Sequence, residues 1–534
     1  MKQASGDHFP QLFCKHKTYA TLLTLFLSCL FILSACGGNN PAPNTTSSLP
    51  KKGGTLKVGI ISDIANMDPL TSTSLYDSDV MANMYDTLFK YDDKGVIQPE
   101  LVSSYKYASP TALDLTLRSG VKFQDGTPFN ADAVIFNLNR FLTDKTGPRY
   151  SDVEDITSLT KLGDMQVQIN LQKPYGPLLN VLTGSEGRMI SPTALKTLGE
   201  KFKGNPVNAG SGPFIWVEWA RADHILLKAN PNYWQKDAQG NSLPYLQFIR
   251  FQVMTNATVM FNNLETNQIQ VDSSPDPNTV SQIKSNPSLT YRQIPSPGFG
   301  SIQINISQPP LNNVHLRRAI SLAINRQEIL THVLQGVGIV AHGPLSPASW
   351  AYDQSFTGLD YNVAQAKAEL AQSGMTNPTF PLLFTAGNPT TLQEVQFIQA
   401  QLQAVGINMT LKQSTFPALV SAMDAIKYQA VFVGWTGSRD PDGLMFGLWH
   451  TGGGINYTKE SNSQLDTLLD QGRYTTERAQ RIPFYQQAQK LVVEDAGTIF
   501  ITHPVVSQAT SSTVKNYFLS PSAVLDFTST YLSS

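Results

Sequence analysis

The segment from 431 to 443 is the best candidate for a binding site in this chain. A run rich in β-branched residues ends in a loop with several glycines and a proline, and this loop holds Trp435, Arg439, Asp440 and Asp442. An indole face, an anion-binding guanidinium and two carboxylates are groups that commonly line a polar cleft. We therefore predict a ligand-binding loop here; the alternative is a turn in which the two aspartates cap local backbone N–H groups.

Motifs of catalysis are largely missing. The eight histidines are scattered, with no His-Glu-x-x-His pair, and neither a Gly-x-Ser-x-Gly elbow nor a phosphate-binding loop occurs. The nearest match, Gly210-Ser211-Gly212, is followed directly by Pro213, which favours a tight turn. His224 and His342 are interpreted as surface or satisfied core residues. We expect no catalytic residue, no metal site and no cofactor.

The N-terminus has the layout of a secretory signal. Basic residues at 15–17 precede an apolar run over 19–32, and small residues then lead to Cys36 and Gly37. This resembles a bacterial lipobox, so we predict a signal peptide over 1–35 and lipidation of Cys36. The alternative is an uncleaved membrane anchor, because the run approaches the length of about 17–25 residues that spans a bilayer.

A polar tether follows the predicted lipidation site. Residues 37–50 are rich in Asn, Pro, Thr and Ser, which favours a flexible segment over 36–52 and a folded body that begins near Gly53. Cys14 and Cys29 lie within the signal, so the exported product would keep only Cys36. We therefore expect neither a disulfide nor a thiolate metal cluster.

Composition indicates a globular protein with more than one lobe. The body of roughly 480 residues exceeds what one hydrophobic core usually supports, and 41% hydrophobic residues allow extensive burial. A net charge of -1 without a basic run that includes aromatic residues argues against nucleic acid binding. Short β-branched segments and helical patterns alternate along the body, so we predict an α/β fold. The clearest predicted strands are 55–61, 113–117, 166–171, 225–227 and 430–434, and the clearest helices are 363–373, 392–405 and 477–494.

A further helix is predicted within residues 310–326. Asn313 is a suitable N-cap, and Leu316, Ala319 and Ile320 fall on one face at helical spacing. The arginines of this segment are expected on its solvated face. The segment closely resembles a helix of the dipeptide/oligopeptide-binding proteins of ABC transporters, the extracellular solute-binding proteins of family 5.

Other segments resemble the same family in the same order and extend over nearly everything after Gly53. The most recognisable one is residues 117–132. The others are residues 53–59, 66–69, 85–89, 210–214, 230–234, 434–435, 440–442 and 456–457.

The resemblance implies a periplasmic-binding-protein-like type II clamp with three lobes. Lobe I would comprise residues 53–88, 207–298 and 505–534, the smaller lobe II would be inserted as 89–206, and lobe III would comprise 299–504. Two lobes would close over the ligand by hinge motion. The family also implies a monomer outside the cytoplasm, delivering a small molecule or peptide to an ABC permease and its ATPases.

The same resemblance implies which residues bind ligand. The family's matching Trp walls the pocket, which favours Trp435, and its peptide-binding members pair the peptide's α-ammonium with an Asp three residues later. That position is Ser438 here, which cannot supply the charge, and Arg439 beside it favours an anion. Asp440 would replace the missing acid if the loop is shifted. Further implied positions are Asn66, Met67, Asp68, Gly210, Ser211, Asn456 and Tyr457.

We therefore predict a lipid-anchored receptor that captures a solute, most readily a peptide, outside the cell membrane. The departure at Ser438 keeps a non-peptide solute open, such as a sugar oligomer, metal chelate or anionic compound. A secreted hydrolase is the remaining alternative, although no nucleophile with a matching base is found.

Overall fold

The computed structural model describes residues 50–520 and 524–533. The predicted signal peptide, Cys36 and most of the tether fall outside these residues, so export and lipidation stay predictions. In the described part of the chain, no helix combines the length and apolarity needed to cross a membrane.

Strands occur along the whole described chain, as expected for an α/β protein. They are β1 (Thr55–Ile60), β2 (Phe89–Tyr91), β3 (Ile97–Pro99), β4 (Val102–Ser109), β5 (Ala112–Leu117), β6 (Ile156–Gly163), β7 (Gln166–Leu171), β8 (Phe214–Ala220), β9 (His224–Ala229), β10 (Phe248–Val253), β11 (Val271–Asp272), β12 (Leu289–Pro295), β13 (Phe299–Ile304), β14 (Ile339–Val340), β15 (Thr379–Thr385), β16 (Asn408–Ser414), β17 (Ala430–Trp435), β18 (Thr498–His503), β19 (Val505–Ser511), β20 (Val514–Lys515) and β21 (Tyr531–Leu532).

Helices alternate with these strands. They are α1 (Leu75–Met81), α2 (Ala131–Thr143), α3 (Leu178–Val181), α4 (Pro192–Leu198), α5 (Ala257–Glu265), α6 (Val280–Ser285), α7 (Val314–Ala323), α8 (Arg326–Glu328), α9 (Val363–Gln372), α10 (Pro389–Gln403), α11 (Phe416–Asp424), α12 (Asp442–Trp449), α13 (Ser463–Tyr474) and α14 (Arg478–Asp495). Short 3-10 turns lie at Tyr150–Asp152, Ser185–Gly187, Gly199–Lys203 and Pro277–Thr279, and a π turn lies at Ile329–Val333.

A seven-stranded sheet has the order β12-β19-β11-β1-β10-β9-β8. At its centre, β1 pairs in parallel with both β10 and β11, and Leu56, Val58 and Ile60 of β1 are fully buried. This alternation of buried positions follows from the two-residue period of a strand. The sheet collects strands from three separate parts of the chain, which are the parts that the sequence assigns to lobe I.

A smaller antiparallel sheet has the order β4-β5-β7-β6. Leu113, Leu115 and Leu117 of β5 point to one buried face, and this core also contains apolar residues of α2. α2 begins at Asn130, whose side chain accepts a hydrogen bond from the backbone N–H of Ala133. All four strands lie within residues 102–171, inside the part of the chain assigned to lobe II.

A six-stranded sheet has the order β14-β18-β13-β17-β15-β16. Its strands lie within residues 299–503, the part assigned to lobe III. The exact lobe boundaries stay a prediction, and the names lobe I, lobe II and lobe III are kept for the parts that carry the seven-, four- and six-stranded sheets.

The arginines near α7 correct one expectation from the sequence. Arg317 and Arg326 are buried rather than solvated. Arg317 donates to the carbonyl oxygen of Asp495 at 2.9 Å and to its carboxylate at 2.6 Å, and Arg326 donates to the carbonyl oxygen of Phe500 at 2.6 Å. Asp495 is the last residue of α14, where unpaired carbonyl groups and the helix dipole favour a cation.

The chain passes between the seven- and six-stranded sheets at two short crossings. One joins β12 to β13 and the other joins β18 to β19. The backbone N–H of Ser296 donates to the carbonyl oxygen of Pro504 at 3.0 Å, and Nδ1 of His503 lies 2.9 Å from the carbonyl oxygen of Gly298. The two crossings are therefore hydrogen-bonded to each other.

Candidate functional site

A cavity of about 550 Å³ is lined by residues of all three lobes and of both crossings. The crossings contribute residues 296–297 and 504, the start of β19 contributes residues 505–506, and the loop after β17 contributes residues 436–439. The remaining wall comes mainly from residues 75–100 and 149–188 of lobes I and II. Cavities between lobes are common places for small-molecule binding.

Lobes II and III touch each other beside this cavity. The backbone N–H of Gly176 donates to the carbonyl oxygen of Arg473 at 2.9 Å, and Nδ2 of Asn180 donates to Oγ of Ser438 at 3.0 Å. Arg473 also donates to the carbonyl oxygen of Ser151 at 3.3 Å. These contacts define a closed arrangement of the two lobes.

The cavity wall carries both signs of charge. Its basic residues are Lys90, Arg149, Arg188 and Arg439, and its acidic residues are Asp86, Glu100, Asp152, Glu186, Asp442 and Asp526. Some of these groups neutralise each other, as Lys90 does with Glu100 at 3.0 Å. A wall with both signs suits a ligand that itself carries opposite charges.

Asp86 is held by three side-chain donors. Its carboxylate accepts hydrogen bonds from Oγ of Ser211 at 2.8 Å, from the hydroxyl of Tyr233 at 3.0 Å and from Nε1 of Trp234 at 2.9 Å. Burial nevertheless raises the pKa of Asp86 to about 7.

The carboxylate of Glu186 is buried, and few neighbouring groups stabilise its negative charge. Its Oε1 has no hydrogen-bond partner among the described residues, and the nearest cation is Nε of Arg149 at 3.9 Å. Burial raises the pKa of Glu186 to about 7. The charge of this wall therefore changes near neutral pH.

The predicted site loop reaches the cavity in part. Ser438 and Arg439 line it, whereas Trp435 is not among the lining residues. The indole of Trp435 stacks on the ring of Tyr457, with ring centres 6.1 Å apart and an interplanar angle of 25°. Its Nε1 is buried and lacks a hydrogen-bond partner in the described structure. A ligand role for Trp435 stays a prediction.

Asp440 is not free to replace the acid missing at position 438. Its two carboxylate oxygens accept hydrogen bonds from Arg481 at 2.6 and 2.7 Å, and both side chains are buried. Asp440 also does not line the cavity. Because Asp440 is engaged by Arg481, capture of a ligand amine by Asp440 stays a prediction that this geometry does not favour.

The loop residues near position 67 lie away from the cavity wall. Asn66 donates to Oγ1 of Thr71 at 2.6 Å, and Met67 is fully buried in the core of lobe I. Asp68 forms an ion pair with Arg140 of α2 at 2.6 Å. These contacts fix the loop and tie it to lobe II.

The other implied residues also make protein contacts. Gly210 lies against the carbonyl oxygen of Met84, which leaves no space for a Cβ atom, and Ser211 supports Asp86 as described above. Asn456 donates to two carbonyl oxygens, those of His450 at 3.1 Å and Glu460 at 2.8 Å. The hydroxyl of Tyr457 donates to Asp424 at 2.8 Å. Of the eleven predicted ligand residues, only Ser438 and Arg439 line the cavity.

Sequence reasoning missed most charged residues of the wall. Asp86 lies in residues 85–89, a segment that resembles the solute-binding protein family, and this resemblance could have indicated Asp86 as a site residue. Arg149 and Glu186 stand 37 positions apart in unremarkable surroundings, and the folding of lobe II brings them together. In the described ranges, no group of three or more His, Cys, Asp or Glu side chains could hold a metal ion.

Comparison with known proteins agrees with this architecture. The family model for bacterial extracellular solute-binding proteins, family 5 Middle, matches residues 96–456. The chain is 27% identical to the oligopeptide-binding protein AppA of Bacillus subtilis (strain 168), over 95% of this chain and 97% of that protein. It is 28% identical to the glutathione-binding protein GsiB of Pectobacterium atrosepticum, over 88% of this chain and 92% of that protein.

A solved structure shows the same fold. The structure of AppA from Bacillus subtilis in complex with a nonapeptide matches with a TM-score of 0.78 and 25% identity, covering 91% of this chain and 100% of that chain. The α/β fold is thus that of the type II periplasmic binding proteins. The chain belongs to the bacterial extracellular solute-binding proteins of family 5, the substrate-binding components of ABC transporters.

Proposed function

We propose that this protein captures a short peptide outside the cytoplasmic membrane, encloses it by closure of lobe III onto lobes I and II, and delivers it to an ABC permease. The observation that carries this proposal is the cavity at the two crossings, whose wall has both signs of charge. A short peptide offers a carboxylate together with polar and charged side chains, which such a wall can bind. The names of the relatives AppA and GsiB support the same ligand class.

The cavity volume favours a ligand of a few residues. Sites for small molecules typically measure roughly 300–1000 Å³, and about 550 Å³ falls within this range. Because Gly176 and Asn180 meet lobe III beside the cavity, a longer chain would have to displace these contacts.

We further propose that the protein performs no catalysis and acts as a monomer held to the membrane through Cys36. The signal-like segment and lipobox support the anchor. A second candidate ligand is a non-peptide solute such as a sugar oligomer, a metal chelate or an anionic compound. The neutral Ser438, which is bonded to Asn180 instead of offering a carboxylate, favours this candidate.

Native mass spectrometry of the purified protein tests the proposal by releasing and identifying the molecules that co-purify in the cavity. We expect short peptides, and titration calorimetry with a mixture of tripeptides should give saturable heat without product formation. A single non-peptide mass would favour the second candidate. Turnover of the bound molecule, or uptake by cells that lack this chain, would contradict the proposed function.

A further inference from the structure

Arg439 lines the cavity and contacts lobe II at Gly95 and at the ring of Tyr91. It follows β17 and lines the cavity, and its guanidinium rests against Gly95 in the turn between β2 and β3. Gly95 has φ +74°, and a Cβ atom there would collide with the guanidinium. The ring of Tyr91 lies 5.9 Å from Cζ of Arg439. Lobe II thus contacts the guanidinium at Gly95 and through the ring of Tyr91.

No hydrogen bond or ion pair joins Arg439 to another described residue, whereas the other cations of the wall have partners. Lys90 pairs with Glu100 at 3.0 Å, Arg149 donates to the carbonyl oxygen of Ser72 at 3.3 Å, and Arg188 donates to that of Ser78 at 3.3 Å. A guanidinium offers five donors in a planar fork that matches a carboxylate. Among the four cations of the wall, Arg439 is therefore the one whose N–H donors have no hydrogen-bond acceptor among the described residues.

The acids nearest to Arg439 in sequence do not neutralise it. Asp440 is engaged by Arg481, Asp442 lies 3.8 Å from Nε of Arg473, and position 438 holds a serine. The hydroxyl of Ser438 accepts a hydrogen bond from Nδ2 of Asn180, whose side-chain oxygen Oδ1 accepts one from the hydroxyl of Tyr91. A neutral contact between lobes thus occupies the place where the sequence resemblance implies an acid for the ligand amine. This corner of the cavity presents positive charge.

We propose that Arg439 binds a carboxylate of the ligand, so that this protein selects short peptides by a free carboxyl group and does not require a free α-amine. The ligand class is therefore short peptides with a free carboxylate, including those blocked at the amine. This inference rests on the proposed function and assigns the residue that determines specificity. A bidentate guanidinium–carboxylate contact is among the stronger hydrogen-bonded pairs in proteins.

The test compares one mixture of random tripeptides in three chemical forms: free acid, C-terminal amide and N-acetylated acid. Calorimetric affinities are measured for the unaltered protein and for Arg439→Gln. The unaltered protein should bind the acids at least about tenfold more tightly than the amides, because a hydrogen bond to a charged group is lost. Arg439→Gln should reduce this difference to less than about threefold, while its affinity for the amides stays unchanged. N-acetylation should change affinity by less than about threefold.

Two further variants serve as controls. Arg439→Lys should retain part of the preference for acids, because it keeps the charge without the planar fork. Arg221→Gln removes an exposed arginine that stacks on Trp219 outside the cavity, and it should bind like the unaltered protein. The inference is overturned if Arg439→Gln keeps the full preference for acids, if acids and amides bind equally to the unaltered protein, or if N-acetylation abolishes binding. Failure to bind any of the three forms would instead contradict the proposed function itself.

Discussion

At the residue scale, Asp440 is a candidate ligand residue in the sequence, but in the structure its carboxylate forms a buried ion pair with Arg481. Both side chains are buried, and Arg481 additionally donates to the carbonyl oxygen of Gly472 at 2.7 Å. Either charge of such a pair is strongly destabilising when it is buried without its partner, because it is then neither hydrated nor paired. The pair therefore stabilises the packing of the site loop on α14 and leaves Asp440 without spare capacity for a ligand.

Asp440→Asn should lower the free energy of unfolding by about 3–5 kcal/mol, as expected when one partner of a buried ion pair is removed. Urea unfolding followed by circular dichroism measures this change. Asp93→Asn is the matched control, since Asp93 is exposed, and it should unfold like the unaltered protein. An Asp440→Asn variant as stable as this control would show that the buried pair contributes little.

Glu394 of α10 offers a second prediction at this scale. Burial raises its pKa from 4.5 to about 7 in the folded protein. As the pH rises from 4.5 to about 7, Glu394 loses its proton in the unfolded protein but keeps it in the folded protein. The contribution of Glu394 to the free energy of unfolding therefore falls over this range and stays low above pH 7. The free energy of unfolding of Glu394→Gln should therefore exceed that of the unaltered protein by about 1–3 kcal/mol at pH 8. This difference should become smaller as the pH is lowered toward 5. Thermal unfolding across this pH range checks it, with exposed Glu265→Gln as control; a gain independent of pH would contradict the assignment.

At the element scale, the helices and strands that local signals predicted are present in the structure, although these signals identified only part of the described elements. The predicted helix 363–373 corresponds to α9, which begins after Asn362 and ends before Gly374 with φ +70°. The helix predicted over 392–405 begins earlier in the structure, at Pro389, where Asn388 as N-cap and a proline in the first turn are recognisable signals. The burial of Arg317 and Arg326 was not predictable, because it depends on α14 and β18, which lie far along the chain.

The candidate site was predictable to a similar extent. Its loop after β17 is continuous in sequence, so Arg439 could be found from residue types, and Ser438 from the resemblance to the family. The opposite wall is assembled from separate turns of lobe II, where Arg149 and Glu186 carry no local pattern. Only the fold itself brings such residues to one cavity.

The turn before α3 carries a prediction about closure. A Cβ atom on Gly176 would collide with the carbonyl oxygen of Thr475 and lie 2.9 Å from Nε of Arg481. Gly176→Ala should therefore oppose contact between lobes II and III and weaken tripeptide affinity about tenfold or more, because closure then costs free energy. Calorimetry measures the affinity, and thermal unfolding checks that the fold is retained.

Gly163→Ala is the matched control for this change. Gly163 lies at the end of β6, and its built Cβ atom meets only Oε1 of Gln166 at 3.9 Å. This variant should bind tripeptides with unaltered affinity. Equal affinities of Gly176→Ala and Gly163→Ala would indicate that the lobes bind ligand without this contact.

At the scale of the whole molecule, three sheets surround one cavity, and two hydrogen-bonded crossings join lobe I to lobe III. Burial lowers the pKa of His503 to about 4, so this histidine is neutral at physiological pH. Its contact with Gly298 therefore does not depend on pH near neutrality. If lobe III moves relative to lobe I, the backbone dihedral angles must change at the residues of these two crossings.

Hydrogen exchange measured by NMR tests ligand-linked closure. The N–H of Gly176 donates across the lobe contact to Arg473, so its exchange should slow by about tenfold or more when a tripeptide saturates the protein. The N–H of Leu115, inside the four-stranded sheet, should exchange at an unchanged rate. Equal rates for Gly176 with and without ligand would contradict a ligand-dependent separation of lobes II and III.

The two glycines beside the first crossing have a mechanical consequence. Gly298 lies against the carbonyl oxygen of Trp435, and Gly437 lies against that of Pro297, so a side chain at either glycine would force the segments apart. The ligand-facing loop and the pivot are therefore in direct atomic contact. We therefore expect a ligand that shifts residues 436–439 to shift this crossing as well, and a small rotation at the crossing moves the distant edge of lobe III by a larger distance. Occupancy of the cavity is then expected to change the position of a surface of lobe III that a partner protein can contact.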